Sequence, residues 1–279
     1  MAQTGHLTAA PRAAEPWLSP VTRLRVMIIV TVVVVWEAVA ASGLLFRDVV
    51  PSFLTIGRSL YELLALPDLK WPVEIAALGL KSDLWIPAFY WNLYVTIAEV
   101  ATAMVIGGFA GLAVGLVLGA NRFLGEAFER FLYYLGPTPK IVFFPIMIMW
   151  FGVGPESKIA MGTVSCFFPI ALSAAAGMRQ IDSVLIRVGR SFRLNTWQMV
   201  TKIYLPAMRE PIVNGVRLGM GVAMIGTLLA ETKLSNRGVG FLIIDAYNTF
   251  DMPRMYAVLG VLFVIAIGAN ALVGRASRG

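Results

Sequence analysis

Few residues of this 279-residue chain have the types and spacing that metal, redox or nucleophilic chemistry requires. The chain has one histidine, His6, and one cysteine, Cys166, so it offers no ligand set for zinc, haem or an iron–sulfur cluster and no disulfide framework. Glu37 and Cys166 each stand alone, without the second carboxylate, histidine or base that a catalytic site would need. The sequence therefore argues against an enzyme and against a bound cofactor.

Two ionisable residues are notable because each lies in or directly after a long apolar segment. Arg217 lies within the segment 212–230, and Glu231 follows it. A charge at the centre of a bilayer costs about 2.5 to 3.5 kcal/mol on insertion scales, so such a residue is a candidate functional residue. Arg217 could reach the membrane surface, pair with a helix C-terminus or attract an anionic substrate, and its residue type leaves these roles open.

The composition of the chain indicates whether these residues lie in a soluble protein or in a membrane protein. Of all residues 58% are hydrophobic and 14% are charged, with a mean hydropathy of +0.76, whereas about a quarter of the residues of a soluble domain are charged. Apolar runs of about 20 residues, each long enough to cross a bilayer, recur along the chain. We therefore predict an all-α polytopic membrane protein with six transmembrane helices, at 24–46, 100–120, 131–153, 159–178, 212–230 and 255–273.

The third of these spans, 131–153, is expected to be a broken helix. It contains Pro137, Lys140 and Pro145, which interrupt its apolar pattern. The freed backbone groups must be satisfied by neighbouring helices or by a water-lined cavity, because lipid offers them no partner.

The positions of the positive charges predict the orientation of the chain. A net charge of +7 would suggest nucleic acid as a partner of a soluble protein, but in a membrane protein Lys and Arg mark the cytoplasmic side. We place both termini in the cytoplasm, because the segments that are then inside hold more Lys and Arg than the external loops 47–88 and 231–254. The inside segments are the tails 1–23 and 276–279 and the loops 121–130 and 179–211.

The N-terminal part of the chain admits a second interpretation. Arg23 and Arg25, the apolar stretch 27–36 and the small residues 38–40 also fit a signal peptide, whose cleavage would not invert the other five helices. In the external loop we expect a short amphipathic helix at 52–66, with its apolar face against the other helices, the membrane surface or a partner. The core of the protein is then 89–275.

Four glycines in the second span recur at every fourth residue: Gly107, Gly111, Gly115 and Gly119. Small residues at this spacing form a smooth stripe that lets helix backbones approach closely, in a solvent where no hydrophobic effect drives helices together. The stripe predicts close helix packing, within a compact bundle or between two chains.

The inside loop 179–211 combines positive charge with apolar residues that a disordered loop would not need. Asn195 or Thr196 can cap a short second helix, and Pro206 fits a chain reversal after it. We expect two short helices in a hairpin with apolar side chains at its tip. Such a hairpin could enter a groove on a soluble partner or lie on anionic lipid headgroups.

This loop resembles the cytoplasmic loop of bacterial ABC-importer permeases. The family pattern is Glu-Ala-Ala, three residues, Gly, nine residues and then Ile-x-Leu-Pro, and its last part is intact at 203–206. The Glu-Ala-Ala positions fall on Arg187, Val188 and Gly189, and the position of the family glycine falls on Arg193. A glycine there permits a left-handed backbone between the two helices.

Segments outside the loop narrow the resemblance to the permeases for nitrate, sulfonates, taurine and bicarbonate. The resemblance covers about 90 to 275 and includes the glycine stripe near its start. The segments that are similar to this subfamily are 137–158, 168–170, 215–218, 229–232 and 238–240.

Members of this family are six-helix subunits that form dimers around a central pathway. The resemblance implies the transmembrane permease subunit of an ATP-driven, binding-protein-dependent type I importer in the bacterial cytoplasmic (inner) membrane, for a small anionic organic or inorganic solute. It implies three kinds of partner: a second permease copy, a periplasmic or lipid-anchored substrate-binding protein and two cytoplasmic ATPase subunits. Those ATPase subunits would bind ATP and Mg, whereas this chain, which has no Gly-x-x-x-x-Gly-Lys-Ser/Thr motif, would bind no cofactor.

The same resemblance assigns the inside loop to contact with the ATPase subunits. Their ATP-driven closure would draw the two loops together and turn the helix bundles as rigid bodies. Phe192 and Leu194 would fill an apolar groove while Arg190 or Arg193 meets acidic groups; otherwise the aromatic side chain packs the hairpin and the arginines only enforce topology. The predicted ATPase-coupling residues are Arg190, Ser191, Phe192, Arg193, Leu194, Asn195, Thr196 and Trp197.

The broken third span is a candidate for the translocation pathway, because irregular backbone at membrane depth normally lines a cavity. Core packing is the alternative for each of its side chains. The predicted pathway residues are Phe144, Pro145, Met149, Trp150, Arg217 and Glu231.

An ATP-independent secondary transporter or channel is the alternative function. It predicts inverted repeats with charges near the middle of the membrane in both halves, and the sequence shows neither pattern. It also leaves the apolar hairpin without a role.

Overall fold

The computed structural model of the chain describes residues 19–43, 49–65, 70–75 and 80–276. The chain divides into two compact units, Met1–Thr55 and Ile56–Gly279. Apart from their connections, the described residues are helical except for one two-stranded antiparallel β-hairpin. The predicted all-α class is confirmed, with the β-hairpin as a local addition.

The first unit contains helix α1, Pro20–Ser42. Ser19 caps its first turn by accepting a backbone hydrogen bond through its side chain, and Gly43 ends it in a left-handed conformation. The indole nitrogen of Trp36 donates a hydrogen bond to the Pro51 carbonyl at 3.0 Å, which ties the following chain back to the helix. Among the described residues, α1 has none that is buried.

The remaining elements follow in chain order. They are α2 (Phe53–Ala65), β1 (Lys70–Ile75), β2 (Leu80–Pro87), α3 (Ala88–Ala120), α4 (Arg122–Leu135), a 3-10 turn (Lys140–Phe143), α5 (Phe144–Phe151), α6 (Pro155–Arg179), α7 (Ser183–Ser191), α8 (Thr196–Met199), a π turn (Val200–Tyr204), α9 (Leu205–Ala207), α10 (Arg209–Leu234), α11 (Val239–Asn248) and α12 (Met252–Ala276).

The β-hairpin lies in the loop 47–88, where only a short helix is predicted from the sequence. Its strands pair antiparallel, from Lys70 opposite Pro87 to Ile75 opposite Leu80. Trp71, Val73 and Ile75 recur at every second position of β1, which is typical of a strand. The segment contains no long apolar run, so it is not predicted as a helix that spans the membrane.

Among the described residues, five helices are long and apolar enough to cross a membrane: α1, α3, α6, α10 and α12. The pair Arg122–Leu135 and Lys140–Phe151 passes the same test together, with a bend of 93° at its break, and makes a sixth span when it is counted as one. Counted in this way, the prediction of six transmembrane helices, the third of them broken, is confirmed.

The broken span begins earlier than predicted. Residues 121–130 were expected to form an inside loop, but α4 starts at Arg122, with Asn121 as a side-chain cap that accepts a hydrogen bond from the Leu124 N–H at 3.2 Å. Helix α4 is amphipathic, and its charged residues interrupt the apolar run by which a spanning helix is recognised in a sequence. The break falls at 136–139, which contains two prolines.

The glycine stripe of α3 faces α6. A Cβ atom on Gly111 would lie 2.7 Å from the carbonyl oxygen of Phe167, and one on Gly119 would lie 2.9 Å from the carbonyl oxygen of Ala175. These distances are too short for any side chain, so the glycines let the two helix backbones touch. Within the chain, the stripe therefore holds together the two helices that position the sites described next.

Candidate functional site

The segment 179–211, called here the helical hairpin, forms two arms. Helix α7 is the first arm, and α8 with the π turn and α9 is the second. The arms meet at Gly189, where a Cβ atom would lie 2.5 Å from the sulfur of Met199 and would also collide with Ile203. The glycine at this position lets α7 pack closely against the second arm.

The turn between the arms is a left-handed helix end centred on Arg193. Its φ is 51°, a conformation that costs a non-glycine residue roughly 1–2 kcal/mol. The Leu194 N–H donates to the Gly189 carbonyl at 3.1 Å and the Arg193 N–H to the Arg190 carbonyl at 2.9 Å, which is the hydrogen-bond pair of a Schellman motif. The position of the family glycine thus keeps a left-handed backbone although it holds arginine.

The second arm begins with a capping box. The Gln198 N–H donates to the Asn195 side-chain oxygen at 2.8 Å, and the Asn195 N–H donates to the Gln198 side-chain oxygen at 3.0 Å. Two amides that have no partner within the helix are thereby satisfied. Of the two predicted caps, Asn195 is the residue that acts.

Pro206 lies in the last helical turn of the second arm, which ends at Ala207. Met208, which has a non-helical conformation, separates the arm from α10. In the π turn before the proline, the Leu205 N–H bonds to the Val200 carbonyl five residues back. This wider turn accommodates a residue that lacks the N–H of a regular helix.

The tip of the helical hairpin leaves two large aromatic side chains uncovered. Phe192 is 76% exposed and Trp197 is 73% exposed, whereas Leu194 is half-buried against the hairpin. The eight predicted coupling residues therefore lie together at one turn and two helix ends. Those with exposed polar side chains are Arg190, Ser191, Arg193, Asn195 and Thr196.

An ion pair anchors the start of the helical hairpin. Arg179, the last residue of α6, pairs with Glu129 of α4, and their side chains are 49% and 9% exposed. A cavity of about 440 Å³ lies beside the pair. The pair joins the first half of the broken span to the base of the hairpin.

The predicted pathway residues on α5 do not share one environment. Phe144 is 7% exposed and packs with Met147 and with residues of α6 and α10. Pro145, Met149 and Trp150 are exposed. Helix α5 therefore has one edge in the core and one uncovered edge.

An apolar groove of about 550 Å³ runs along the uncovered edge of α5. Of the predicted pathway residues, Trp150 lies in it. The lining residues come from α3, α5 and α6 and are Thr102, Ile106, Met147, Trp150, Phe151, Glu156, Ile159, Ala160, Thr163 and Val164.

Arg217 is half-buried and reaches the end of α12. A Cβ atom on Gly274 would lie 2.7 Å from the Nη2 atom of Arg217. The last turn of a helix carries partial negative charge, which favours a cation there. Of the roles left open above, this geometry favours pairing with a helix C-terminus over contact with a solute.

Glu231 is fully buried, so in this structure it borders no space that a solute could enter. Its Oε1 accepts a hydrogen bond from the Thr96 hydroxyl at 2.6 Å, and its Oε2 accepts one from the Gly240 N–H at 2.6 Å. The Thr96 hydroxyl oxygen accepts in turn from the Val239 N–H at 2.8 Å. The carboxylate therefore stabilises the N-terminus of α11.

Several other polar residues are buried around Glu231. Asn92 of α3 accepts a hydrogen bond from the Gly238 N–H at 2.6 Å, and Glu99 and Lys158 are also buried. A signal was present on α3, since Asn92, Thr96 and Glu99 lie at helical spacing on the face that continues into the glycine stripe.

Comparison with known proteins places this arrangement in a family. Residues 103–278 match the family described as binding-protein-dependent transport system inner membrane component. The taurine transport system permease protein of Escherichia coli is 28% identical over 188 residues, which are 66% of this chain and 68% of that protein. The nitrate import permease protein of Synechococcus elongatus is 26% identical over 245 residues, 81% and 86% of the two chains.

The fold has a counterpart among solved structures. A chain of the MetNI methionine ABC transporter, solved in inward-facing conformations, superposes with a TM-score of 0.60 at 20% identity, over 67% of this chain and 93% of that chain. The family match covers more than half of the sequence. The chain therefore belongs to the binding-protein-dependent transport system inner membrane components and is a membrane-spanning permease subunit of an ABC importer.

Proposed function

We propose that this permease forms the pathway for a small anion and is driven by two cytoplasmic ATPase subunits that dock on the helical hairpin. The observation that carries the proposal is the uncovered aromatic pair at the hairpin tip, Phe192 and Trp197. Exposed aromatic side chains on a rigid turn are typical of helix-in-groove recognition and of interface residues that dominate binding energy.

The anchoring of the hairpin supports a role in transmitting movement. The capping box at Asn195 and the left-handed turn at Arg193 fix the tip, and the pair of Arg179 with Glu129 fixes the base. A segment held at both ends transfers displacement to the helices that it joins, as rigid-body switching requires. Two cytoplasmic ATPase subunits, which bind and hydrolyse ATP with Mg, would supply that displacement.

The solute class is proposed from the relatives. Proteins of similar sequence are named for the transport of taurine, nitrate and bicarbonate, and each of these solutes carries an anionic oxygen group. We propose a periplasmic or lipid-anchored binding protein as the component that selects among such anions.

The proposed oligomeric state and orientation in the membrane are supported by the charge distribution and by the uncovered apolar surfaces. We propose a homodimer with both termini in the cytoplasm, an orientation supported by the excess of Lys and Arg in 179–211 and the other inside segments. The apolar groove beside α5 and the uncovered Met149 and Trp150 are the surfaces that a second copy and the solute pathway would share.

The experiment is ATP hydrolysis and solute uptake by the complex reconstituted in vesicles with its cognate ATPase and binding protein. Alkanesulfonate, taurine, nitrate and bicarbonate are each offered as solute. Phe192→Ala and Trp197→Ala are expected to weaken retention of the ATPase by about tenfold or more, because each truncation empties an apolar contact. Phe123→Ala is the matched control, since Phe123 is 77% exposed but lies on α4.

Two outcomes would contradict the proposal. One is that both hairpin variants retain the ATPase as well as the wild type does, which would indicate that the tip lies on the lipid surface instead. The other is uptake of one of the four anions by vesicles that contain this chain alone, which is the behaviour of a secondary transporter or channel.

A further inference from the structure

A layer of buried ionisable side chains crosses the contact between α3, α6 and α10. Its members, called here the charged layer, are Glu99, Lys158 and Glu231, and they are 4%, 2% and 0% exposed. Glu99 interacts electrostatically with both of the others. Ionisable groups inside a membrane-embedded bundle are costly and rare, and the function proposed above gives these three no role.

The charged layer lies at one level of the bundle. Just below it, a Cβ atom on Gly162 would lie 2.5 Å from the hydroxyl oxygen of Thr227 and 2.7 Å from the Cβ atom of Ala103, so these three residues meet. Each member of the charged layer is four positions from one of them, about one helical turn toward the end where α11 begins. Above the charged layer, α6 and α10 give way to connecting segments, whereas α3 continues to Ala88.

One of these segments is the connection between α10 and α11. Glu231 accepts the Gly240 N–H at 2.6 Å, and a Cβ atom on Gly238 would lie 2.7 Å from its Oε2. The carboxylate therefore fills the space inside the turn at which α11 starts. Displacing the carboxylate would release the first turn of α11.

The other segment is the connection between α5 and α6. Lys158 donates hydrogen bonds to the carbonyls of Val153 and Gly154, the latter at 3.0 Å. These carbonyls directly follow α5, the half-span with the uncovered edge and the apolar groove. The ammonium group therefore holds the end of α5 against the charged layer.

One atom of the charged layer has no hydrogen-bond partner. Glu99 Oε2 is buried without one among the described residues. The carboxyl group of Glu99 hydrogen-bonds with that of Glu231, so the two acidic groups are joined while one oxygen of Glu99 has no partner. Burying such an oxygen is costly, so a displacement that gives it a partner is favourable.

We propose that the charged layer is a positioning element that makes the α10–α11 connection and the end of α5 move together when the binding protein docks. The inference rests on the proposed function: with both termini in the cytoplasm, α11 lies in the external loop 231–254, on the side from which the binding protein approaches. Glu99 joins the two connections, because it shares a hydrogen bond with Glu231 and interacts electrostatically with Lys158. Moving one connection alone would break that hydrogen bond or separate Lys158 from the acidic groups inside the bundle, so the layer favours two discrete arrangements over gradual deformation.

The test compares basal ATP hydrolysis of the reconstituted complex with hydrolysis stimulated by the binding protein. The binding protein is loaded with whichever of the four anions named above stimulates the wild type. Lys158→Met and Glu231→Gln are expected to retain basal hydrolysis and to lose about fivefold or more of the stimulation. The double variant is expected to lose no more than the worse single variant, because residues acting in one unit are not additive.

Thr227→Val is the matched control. Thr227 is fully buried one turn below Glu231 on α10, and its hydroxyl oxygen has no hydrogen-bond partner among the described residues. Valine has the same shape, so this variant is expected to keep the wild-type stimulation. A loss of stimulation in this control equal to that in Lys158→Met would overturn the proposal.

Unchanged stimulation in both single variants, or losses that multiply in the double variant, would also overturn the proposal. If Glu231→Gln does not assemble, Glu99→Met, which removes the hydrogen bond with Glu231, takes its place, with a loss of stimulation expected and unchanged stimulation contradicting the proposal. A wild-type complex that hydrolyses no ATP contradicts the proposed function instead, so the two failures are distinguishable.

Discussion

Arg179 at the end of α6 forms an ion pair with Glu129 of α4, and this pair joins the helical hairpin to the first half of the broken span. The Glu129 side chain is 9% exposed and that of Arg179 is 49% exposed. Solvent therefore screens the arginine partly, whereas the carboxylate depends on its partner. The ion pair is the one described contact that ties the base of the hairpin to α4 through opposite charges.

Replacing the buried carboxylate is expected to loosen the base of the hairpin. Glu129→Gln should lower the free energy of unfolding by about 1–2 kcal/mol, because an amide cannot balance the arginine charge. Thermal unfolding of the purified protein in detergent measures the change. Glu126→Gln is the control, since its pair with Arg122 is exposed at 69% and 93% and no measurable change is expected. Equal effects of the two variants would contradict the assignment.

The contact between α3 and α6 can be tested at two neighbouring glycines. A Cβ atom on Gly111 would lie 2.7 Å from the Phe167 carbonyl oxygen, whereas one on Gly108 would meet only a side-chain carbon of Ile170, at 3.8 Å. Gly111→Ala is expected to destabilise the protein by about 1–3 kcal/mol through overpacking. Gly108→Ala should be neutral or stabilising, because alanine favours a helix by about 1 kcal/mol. The midpoints of thermal unfolding distinguish them, and a reversed order would contradict the packing.

Much of the fold could be predicted from the sequence, because a bilayer demands long uncharged runs. The runs at 159–178 and 255–273 lie inside α6 and α12. The break in the third span followed from its prolines. Helix α4 could not be found in this way, since its charged residues Arg122 and Glu126 face outward and interrupt the run.

The polar contacts of the site could be predicted only in part. The capping role of Asn195 is local and depends on residues within one turn, so the sequence indicates it. The burial of Glu231 depends on Thr96, which is 135 positions away in the chain. No spacing rule connects such distant positions, and an ionisable residue at the end of a span therefore suggested a pathway where the structure has a buried hydrogen-bond network.

The left-handed turn of the helical hairpin predicts an unusual stabilising substitution. Arg193 has a φ of 51°, so Arg193→Gly should stabilise the turn by about 1 kcal/mol by removing the clash of its Cβ atom. Arg190→Gly, within the last turn of α7, should instead destabilise the turn by about the same amount. Hydrogen exchange of the Leu194 amide, which bonds to Gly189, measures both changes. Faster exchange in Arg193→Gly would show that the arginine side chain stabilises the turn.

Two glycines with positive φ allow the cost of backbone strain to be distinguished from the cost of displacing Glu231, because only one of them lies near that side chain. Gly238 has a φ of 98°, and a Cβ atom there would lie 2.7 Å from the Glu231 Oε2; Gly43 has a φ of 65°, and a Cβ atom there would meet nothing within 4 Å. Alanine at either position carries backbone strain of about 1–3 kcal/mol. Gly238→Ala must also displace the carboxylate that holds the first turn of α11.

The two alanine variants should therefore differ in how strongly they destabilise the protein and in which amides exchange faster. Gly43→Ala is expected to lower the unfolding midpoint slightly, whereas Gly238→Ala should lower it further and should speed hydrogen exchange at the amides of Val239 and Gly240, which bond to Thr96 and Glu231. Equal unfolding midpoints of the two variants, with unchanged hydrogen exchange in α11, would mean that the Glu231 carboxylate can move aside without destabilising the protein. In that case Glu231 would not fix the start of α11, and its complete burial would have to be explained by its other neighbours in the bundle.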